Sequence, residues 1–203
     1  MRILVIGAGG TIGRAVVAEL TGAGHEVVRA SRSAPPETRV DIADPDSVAA
    51  LLDRVGELDA VVCCAASGAL VRLDEGEDAE YLTGLDGKLL GQVRLVRRAL
   101  PRLRDGGSIT LTSGAFAEPT PGGSFAALVN AGLEAFVAAT AVEPLRGARI
   151  NAVSPGWVSE TLEALGMDPS AGTPAREVAR AYLTAVTGGD RGRVLRVGPD
   201  GTR

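Results

Sequence analysis

In the stretch RILVIGAGGTIGR, residues 2–14, an apolar, β-branched run is interrupted by glycines and then passes into a helical pattern. This order predicts a strand, a tight turn and a helix. Glycines let the backbone adopt positive φ values and let a ligand approach main-chain N–H groups, and the helix adds the positive end of its dipole. The turn therefore favours a phosphate or pyrophosphate group as its ligand.

The glycines of this turn are spaced G-x-x-G-x-x-G, with Gly7, Gly10 and Gly13 at the fixed positions. The spacing alone is a weak signal, but the turn follows the first strand of the chain, where nucleotide-binding α/β proteins carry theirs. We expect a nucleotide to contact six residues of the turn and of the helix start. They are Gly7, Gly9, Gly10, Thr11, Ile12 and Gly13.

Length and composition predict one globular domain over residues 1–203. The net charge of -4 argues against a nucleic acid or an anionic membrane as the partner, and 3% aromatic residues are too few for a base-stacking surface. Met1 leads directly into the first strand, and no apolar run reaches the length of a membrane span. We expect a cytoplasmic protein that binds no metal.

The two cysteines, Cys63 and Cys64, are neighbours in an apolar run. A disulfide between adjacent residues would be strained, and the chain has no third cysteine. We interpret both as buried thiols of a reducing compartment, with a redox pair as the alternative.

The residues after the second strand indicate which dinucleotide binds. In such folds an acidic side chain at this point holds the adenosine ribose, whereas a basic one accommodates a 2′-phosphate. Here Ser31, Arg32 and Ser33 follow the strand and no acid is present. Hydroxyl groups and a planar guanidinium suit a phosphate, so we predict NADP(H). A solvated surface arginine is the alternative for Arg32.

Strand and helix patterns alternate along the whole chain, which predicts a doubly wound α/β domain with a parallel sheet of about seven strands. The third of these strands is expected at residues 38–42. One long helix is expected from Tyr81 to Leu100, and a second from Gly122 to Leu145 with a face of small residues that permits close approach to the sheet or to a second subunit. Residues 158–174 are expected to cover the substrate.

These motifs, together with Ser113 and the stretch INAVSPGWV at residues 150–158, resemble the short-chain dehydrogenase/reductase family over nearly the whole chain. The resemblance implies a Rossmann-type sheet in the order 3-2-1-4-5-6-7, with NADP(H) across the carboxyl ends of its strands. It also implies a homodimer or homotetramer. The further cofactor contacts that it implies are Asp41, Ile42, Ala65, Ala66, Ser67, Pro155, Gly156, Trp157 and Val158.

The chain departs from the family in its catalytic residues. The family protonates the substrate oxygen with a tyrosine, whose pKa is lowered by a lysine one helical turn later, and holds that oxygen with a serine. Ser113 stands at the place of the serine, but Ala126 replaces the tyrosine and Asn130 the lysine. Lys88 falls at or near the position of a family asparagine and is the only lysine of the chain.

We therefore predict an NADP(H)-dependent oxidoreductase for a small apolar carbonyl or enone substrate, with Ser113, Lys88 and Asn130 as catalytic residues. Lys88 or water would deliver the proton, and a solvated helix lysine is the alternative for Lys88. Tyr81 is a second candidate acid for which packing is the alternative. Two other functions stay open: an NADP(H)-binding sensor or assembly protein without turnover, and a non-redox isomerase or cyclase.

Overall fold

The computed structural model describes residues 1–65, 68 and 70–198. Their six strands pair in parallel in the order β2-β1-β3-β4-β5-β6. The strands are β1 (Arg2–Ile6), β2 (Glu26–Ala30), β3 (Leu58–Cys63), β4 (Leu103–Thr112), β5 (Arg149–Pro155) and β6 (Val194–Val197). The chain moves from β1 outward to β2 and then returns to β3 on the other side of β1, which is the doubly wound topology.

Helices cover both faces of this sheet. They are α1 (Thr11–Gly22), α2 (Pro45–Val55), α3 (Asp78–Tyr81), α4 (Gln92–Ala99), α5 (Ser124–Ala139), α6 (Ser159–Ala164) and α7 (Ala175–Thr187). Alternate residues of β1 point to opposite faces, so Ile3 and Val5 join the core under α1 and α7, whereas Leu4 and Ile6 join the core under α2, α4 and α5. The sheet is thus buried on both sides, and its carboxyl ends remain available to a ligand.

The third predicted strand, at residues 38–42, is absent from the sheet, which therefore has six strands and whose edge strand on this side is β2. Only one parallel bridge, Ser31 with Arg39, forms at the predicted place. The chain turns away after that bridge because the backbone N–H of Asp41 donates to the Ser47 hydroxyl, and the Asp41 carboxylate accepts from Ala43 N. The rest of the predicted strand order is confirmed.

The long helix predicted from Tyr81 to Leu100 is broken into pieces. After α3, residues Leu85–Gly91 form a π-helix, which leads directly into α4 and then into a 3₁₀ turn at Leu100–Arg102. The π-helix packs tightly against the loop that follows β2, since a side chain on Gly91 would lie 2.7 Å from Ile42 O. π-helical turns are rare and frequently occur at functional sites.

The helix predicted from Gly122 to Leu145 ends as α5 at Ala139, followed by a 3₁₀ turn at Thr140–Val142. Pro144 accounts for the early end, because in a continued helix its ring would clash with the carbonyl group four residues earlier, that of Thr140. Ser124–Val142 would be long and apolar enough to cross a membrane by length and composition alone. One side of α5 nevertheless lies in the protein interior, where Leu133 and Val137 belong to the core.

The predicted covering segment, residues 158–174, contains α6 and a 3₁₀ turn at Pro169–Ala171. Its two ends are joined by a parallel bridge between Val158 and Thr173, with hydrogen bonds from Ser159 N to Thr173 O and from Thr173 N to Trp157 O. The segment is therefore a loop that leaves the end of β5 and returns to it.

Candidate functional site

The glycine turn between β1 and α1 is closely packed at two glycines. Gly7 has φ +82°, and a side chain on it would lie 2.6 Å from Ala65 N. A side chain on Gly13 would collide with the carbonyl oxygen of Gly7. Gly10, the residue before α1, supplies no side-chain cap, so the first N–H groups of the helix have no side-chain partner there. An uncapped helix start behind a glycine turn can accept a phosphate group.

A cavity of about 640 Å³ opens in front of this turn, at the carboxyl ends of β1, β2 and β3. Nine of the predicted cofactor contacts line it: Gly7, Gly9, Gly10, Ser31, Arg32, Ser33, Asp41, Ile42 and Ala65. Seven further residues line it that were not predicted as cofactor contacts: Ile6, Val40, Ala43, Cys64, Thr83, Asp86 and Gly87. We call this space the cofactor cavity.

Ser31, Arg32 and Ser33 form one corner of the cofactor cavity. The two serine hydroxyls lie 3.4 Å apart, and Arg32 is exposed to solvent. Among the described residues no carboxylate lies within salt-bridge distance of the Arg32 guanidinium. Two hydroxyls beside an uncompensated guanidinium provide donors for a dianionic group.

Of the other predicted cofactor contacts, seven belong to the described residues, and none of these seven lines the cofactor cavity. Thr11, Ile12 and Gly13 begin α1 behind the turn, whereas Ala66 and Ser67 fall outside the described residues. Four residues at the end of β5 line neither large cavity: Pro155, Gly156, Trp157 and Val158. Gly156 N donates to Val197 O, and Val158 is buried in the core below α7.

The structure brings the predicted catalytic residues together around Gly114. A methyl group placed on Gly114 would lie 3.3 Å from Asn130 Nδ2 and 3.5 Å from Lys88 Nζ. Ser113 immediately precedes this glycine. Lys88 comes from the π-helix, Ser113 from the end of β4 and Asn130 from α5, so three separate elements converge on one point.

Burial changes the chemistry of Lys88. Desolvation lowers the pKa of its ammonium group from 10.5 to about 8. No carboxylate of the described residues forms a salt bridge with it, and the nearby Asp86 instead lies 3.8 Å from Arg94. An amine with this pKa is mostly protonated at neutral pH and can still release its proton, as a general acid must.

Asn130 is 6% exposed, and its Oδ1 atom has no hydrogen-bond partner among the described residues. A buried acceptor without a partner is costly. Asn130 therefore offers an open hydrogen-bonding position next to Lys88.

The Ser113 hydroxyl is directed toward α5. It is buried and donates to Glu134 Oε1 at 2.9 Å. The same oxygen accepts a hydrogen bond from the Ser154 hydroxyl at 2.8 Å, and Arg196 donates hydrogen bonds to both oxygens of the carboxylate. Burial raises the pKa of Glu134, but the hydrogen bonds from Arg196, Ser154 and Ser113 outweigh it, so the pKa lies below its usual value.

Glu134 and Arg196 were missed by the sequence analysis. Glu134 lies one helical turn after Asn130 on the same face of α5, and this spacing is a signal that the sequence does contain. Arg196 lies on β6, 62 residues further along, and only the paired sheet brings it to Glu134.

A second cavity, of about 690 Å³, lies beyond Gly114 and Asn130. Its wall is mostly apolar or small: Gly114, Ala115, Phe116, Pro119, Thr120, Gly123, Ser124, Ala127, Asn130, Ala131, Glu134 and Arg196. The charged members, Glu134 and Arg196, neutralise each other. We call this space the apolar cavity.

Tyr81, the second candidate acid, is held by packing. Its ring lies 4.9 Å from the ring of Phe125, centroid to centroid, and its hydroxyl lies 3.1 Å from the Ser124 hydroxyl. Ala126 is half-buried and offers no proton. Both cysteines are free, but only Cys63 is buried as predicted, whereas Cys64 is half-buried and lines the cofactor cavity. Desolvation raises the pKa of the Cys63 thiol to about 12 and also raises that of Cys64. Raised pKa values favour the interpretation as inert thiols over a redox pair.

Comparison with known proteins identifies the family. A family model described as "Enoyl-(Acyl carrier protein) reductase" matches residues 7–184. The protein lin1944 from Listeria innocua is 36% identical, with a TM-score of 0.89, and the match covers 97% of this chain and 99% of that one. No match is found among curated protein sequences.

Two further solved structures are similar over nearly their whole length. A small-chain dehydrogenase in complex with NADPH is 26% identical, with a TM-score of 0.81 and coverage of 98% of this chain and 96% of that one. A short chain dehydrogenase/reductase family protein is 26% identical, with a TM-score of 0.83 and coverage of 97% and 95%. With the glycine turn, the sheet order and the family match in agreement, the chain belongs to the short-chain dehydrogenase/reductase family and is an oxidoreductase of that type.

Proposed function

We propose that the protein is an NADP(H)-dependent oxidoreductase that acts on a small, uncharged, apolar carbonyl or enone substrate, with Lys88 as the proton donor. The observation that carries this proposal is the position of Lys88. Gly87, directly before it, lines the cofactor cavity, and Lys88 Nζ lies beside Gly114 and Asn130, which line the apolar cavity. Lys88 thus connects the space for a cofactor with the space for a substrate.

The cofactor cavity fits NADP(H) in its residues. The glycine turn and the uncapped start of α1 suit the pyrophosphate, and Ser31, Arg32 and Ser33 suit the 2′-phosphate. The residues that would hold such a dinucleotide run from the glycine turn past Ala65 to Gly87, directly before Lys88. When bound, NADPH supplies the hydride.

Lys88 provides the acid that the reaction needs. Addition of a hydride to a carbonyl carbon leaves an alkoxide, and addition to an enone leaves an enolate. In either case Lys88 Nζ gives one proton to the product and becomes a neutral amine, which takes a proton from water afterwards. The Asn130 amide can donate a hydrogen bond to the same oxygen and stabilise its developing charge.

Ser113 has a more limited role in this scheme. A hydroxyl can donate only one hydrogen bond, and Ser113 donates its hydrogen bond to Glu134. Toward a ligand Ser113 can therefore only accept a hydrogen bond while this contact lasts. We assign the donor role at the substrate oxygen to Lys88 and Asn130, and an orienting role to Ser113.

The wall of the apolar cavity supports the substrate class. Among the described residues of this wall, the charged pair Glu134 and Arg196 is internally neutralised, so the wall itself leaves no free charge for the body of the substrate. Small apolar groups such as Ala115, Ala127 and Ala131 leave room for an uncharged body.

The test is NADPH oxidation by purified protein over a panel of aldehydes, ketones and enones. We expect turnover with at least one apolar member, a large loss of turnover in Lys88→Met, and unchanged turnover in Arg97→Gln, a control on the exposed side of α4. Lack of NADPH oxidation across the panel, although NADPH binds, would contradict the proposal.

A second candidate function is an NADP(H)-binding protein without turnover, such as a sensor or an assembly partner. Ala126 favours it, because the residue offers no proton where the family has a tyrosine. This function predicts tight NADPH binding, together with Lys88→Met and Ser113→Ala variants that bind equally well and alter no reaction.

The exposed face of α5 supports a homodimer or homotetramer. Leu128 is 63% exposed, and Ala135 and Ala139 on the same face of α5 are exposed and small, which lets a second helix approach closely. We expect light scattering to give the mass of a dimer or tetramer, and Leu128→Arg to shift it toward the monomer. We also infer a cytoplasmic location, since both cysteines are free thiols.

A further inference from the structure

Gln92, the first residue of α4, has a completely buried side-chain amide whose nitrogen donates two hydrogen bonds and whose oxygen accepts one. Its Oε1 accepts from Thr112 N at 2.8 Å, and its Nε2 donates to Thr112 O at 2.9 Å and to Lys88 O at 2.7 Å. One side chain therefore joins the backbone of the π-helix to the backbone of β4.

The Gln92 amide replaces the backbone partner that Thr112 lacks on the side of β3. The pairing of β3 with β4 runs only as far as Val62 and Thr110, so Thr112 lies beyond its last pair. Both backbone groups of Thr112 are then satisfied by the Gln92 side chain, in the manner of a neighbouring peptide. This fixes the last residue of β4, and with it Ser113.

The third bond of Gln92 serves the π-helix. In a regular α-helix the backbone N–H of Gln92 would donate to Lys88 O, but here it donates to Leu89 O. The Gln92 side chain supplies a donor to Lys88 O instead. Lys88 is therefore held in place through its own backbone carbonyl group.

We propose that Gln92 is a positioning residue, which holds the backbone of Lys88 against the end of β4 so that the Lys88 amine stays buried beside Gly114 and Asn130. The inference rests on the proposed role of Lys88 as proton donor. A methionine at position 92 has a similar volume but cannot bridge the two backbones, and an asparagine keeps the amide on a shorter side chain.

The test uses the fact that Lys88 is the only lysine. Reductive methylation with isotope-labelled formaldehyde labels only Lys88 and the N-terminal amine, and an NMR pH titration then gives the pKa of Lys88 directly. In Gln92→Met we expect this pKa to rise by about one pH unit toward the ordinary lysine value, because a released turn exposes the amine. We expect kcat to fall about tenfold with the KM for NADPH unchanged.

Asn151 provides a matched control. Its amide is also completely buried and also bridges two backbone groups, with bonds from Nδ2 to Asp190 O at 2.8 Å and from Arg193 N to Oδ1 at 2.9 Å. Asn151→Leu should lose a similar amount of thermal stability and leave the pKa of Lys88 unchanged. A purely structural role for Gln92 would make the two variants behave alike.

An unchanged Lys88 pKa in folded Gln92→Met would overturn the proposal. Should that variant not fold, Gln92→Asn replaces it, with the same expected rise. Failure of both to fold, while Asn151→Leu folds, would also count against a positioning role and indicate a general structural one. Because the titration needs no turnover, an inactive wild type whose Lys88 responds to Gln92→Met would refute the proposed function but keep this inference.

Discussion

Ser113 and Glu134 form a 2.9 Å hydrogen bond between the end of β4 and the middle of α5. The carboxylate also binds Ser154 and Arg196, so it links β4, β5, β6 and α5 at one point. Replacing it by an amide removes the charge that all three donors use. We expect Glu134→Gln to lower the free energy of unfolding at pH 7 by about 1.5–3 kcal/mol, as for hydrogen bonds to charged groups.

The pH dependence follows from the lowered pKa of Glu134. Because the folded protein holds this group ionised below the usual value of 4.5, its contribution to stability is complete above that value and is lost as the pH falls through the folded-state pKa. Urea unfolding of the wild type and of Glu134→Gln from pH 7 to pH 3 should show that the gap between their free energies of unfolding closes at low pH. Glu163→Gln, which removes an exposed carboxylate from α6, should show no such gap.

Lys88 determines the pH profile of the proposed reaction. Its amine acts as an acid only when protonated, so kcat for carbonyl reduction should be constant at lower pH and fall as the pH rises through about 8. The oxidation of the corresponding alcohol should show the opposite slope, since it needs the neutral amine. Lys88→Met should leave a small residual rate without an inflection near pH 8; a wild-type inflection that survives in this variant would assign the titration to another group.

Arg32 decides between the two dinucleotides. Arg32→Glu places a carboxylate where the 2′-phosphate is expected, so NADPH affinity should fall about 10–100-fold, or about 1.4–2.8 kcal/mol, while NADH affinity does not fall. Calorimetry with both cofactors measures this directly. Arg97→Glu makes the same charge change at an exposed position of α4 and should affect neither. Equal losses for NADPH and NADH would contradict a 2′-phosphate contact.

Gly13 tests the glycine turn. Gly13→Ala forces a methyl group into the Gly7 carbonyl, so we expect lower stability and loss of dinucleotide binding. Gly22→Ala, at the other end of α1, meets no atom within 4 Å and should stabilise the protein by about 0.5–1 kcal/mol. Thermal unfolding and cofactor titration of the two variants separate the turn from general helix effects.

The sequence was sufficient to predict the strand order of the six observed strands and the glycine turn, because both depend on local patterns and on the alternation of strands and helices along the chain. It failed at residues 38–42, where the apolar pattern of a strand is outweighed by the hydrogen bonds of Asp41 with Ser47 and Ala43. The pattern of Leu85, Leu89 and Val96 predicts a continuous helix, and periodicity cannot distinguish one π-helical turn within it.

The candidate site was predicted in part for the same reason. Lys88 and Asn130 were singled out by their types and positions, and they do meet at Gly114. Arg196 and the bridge made by Gln92 depend on which backbone groups are left without partners once the strands have paired. Such contacts follow from tertiary structure and leave no mark in the local sequence.

The direction of the Lys88 side chain depends on the number of residues in the π-helix. Each residue of a helix turns the chain by about 100°, so deleting one residue from Leu85–Gly91 would restore α-helical register and swing the preceding turn around the axis. A deletion on the C-terminal side of Lys88, such as that of Leu90, would move the turn that carries Lys88, because α4 stays anchored by its core residues Leu95 and Val96. A shortened chain would keep its single lysine yet direct it away from Asn130, so in this protein an insertion or deletion can reset the active centre while every functional side chain is retained.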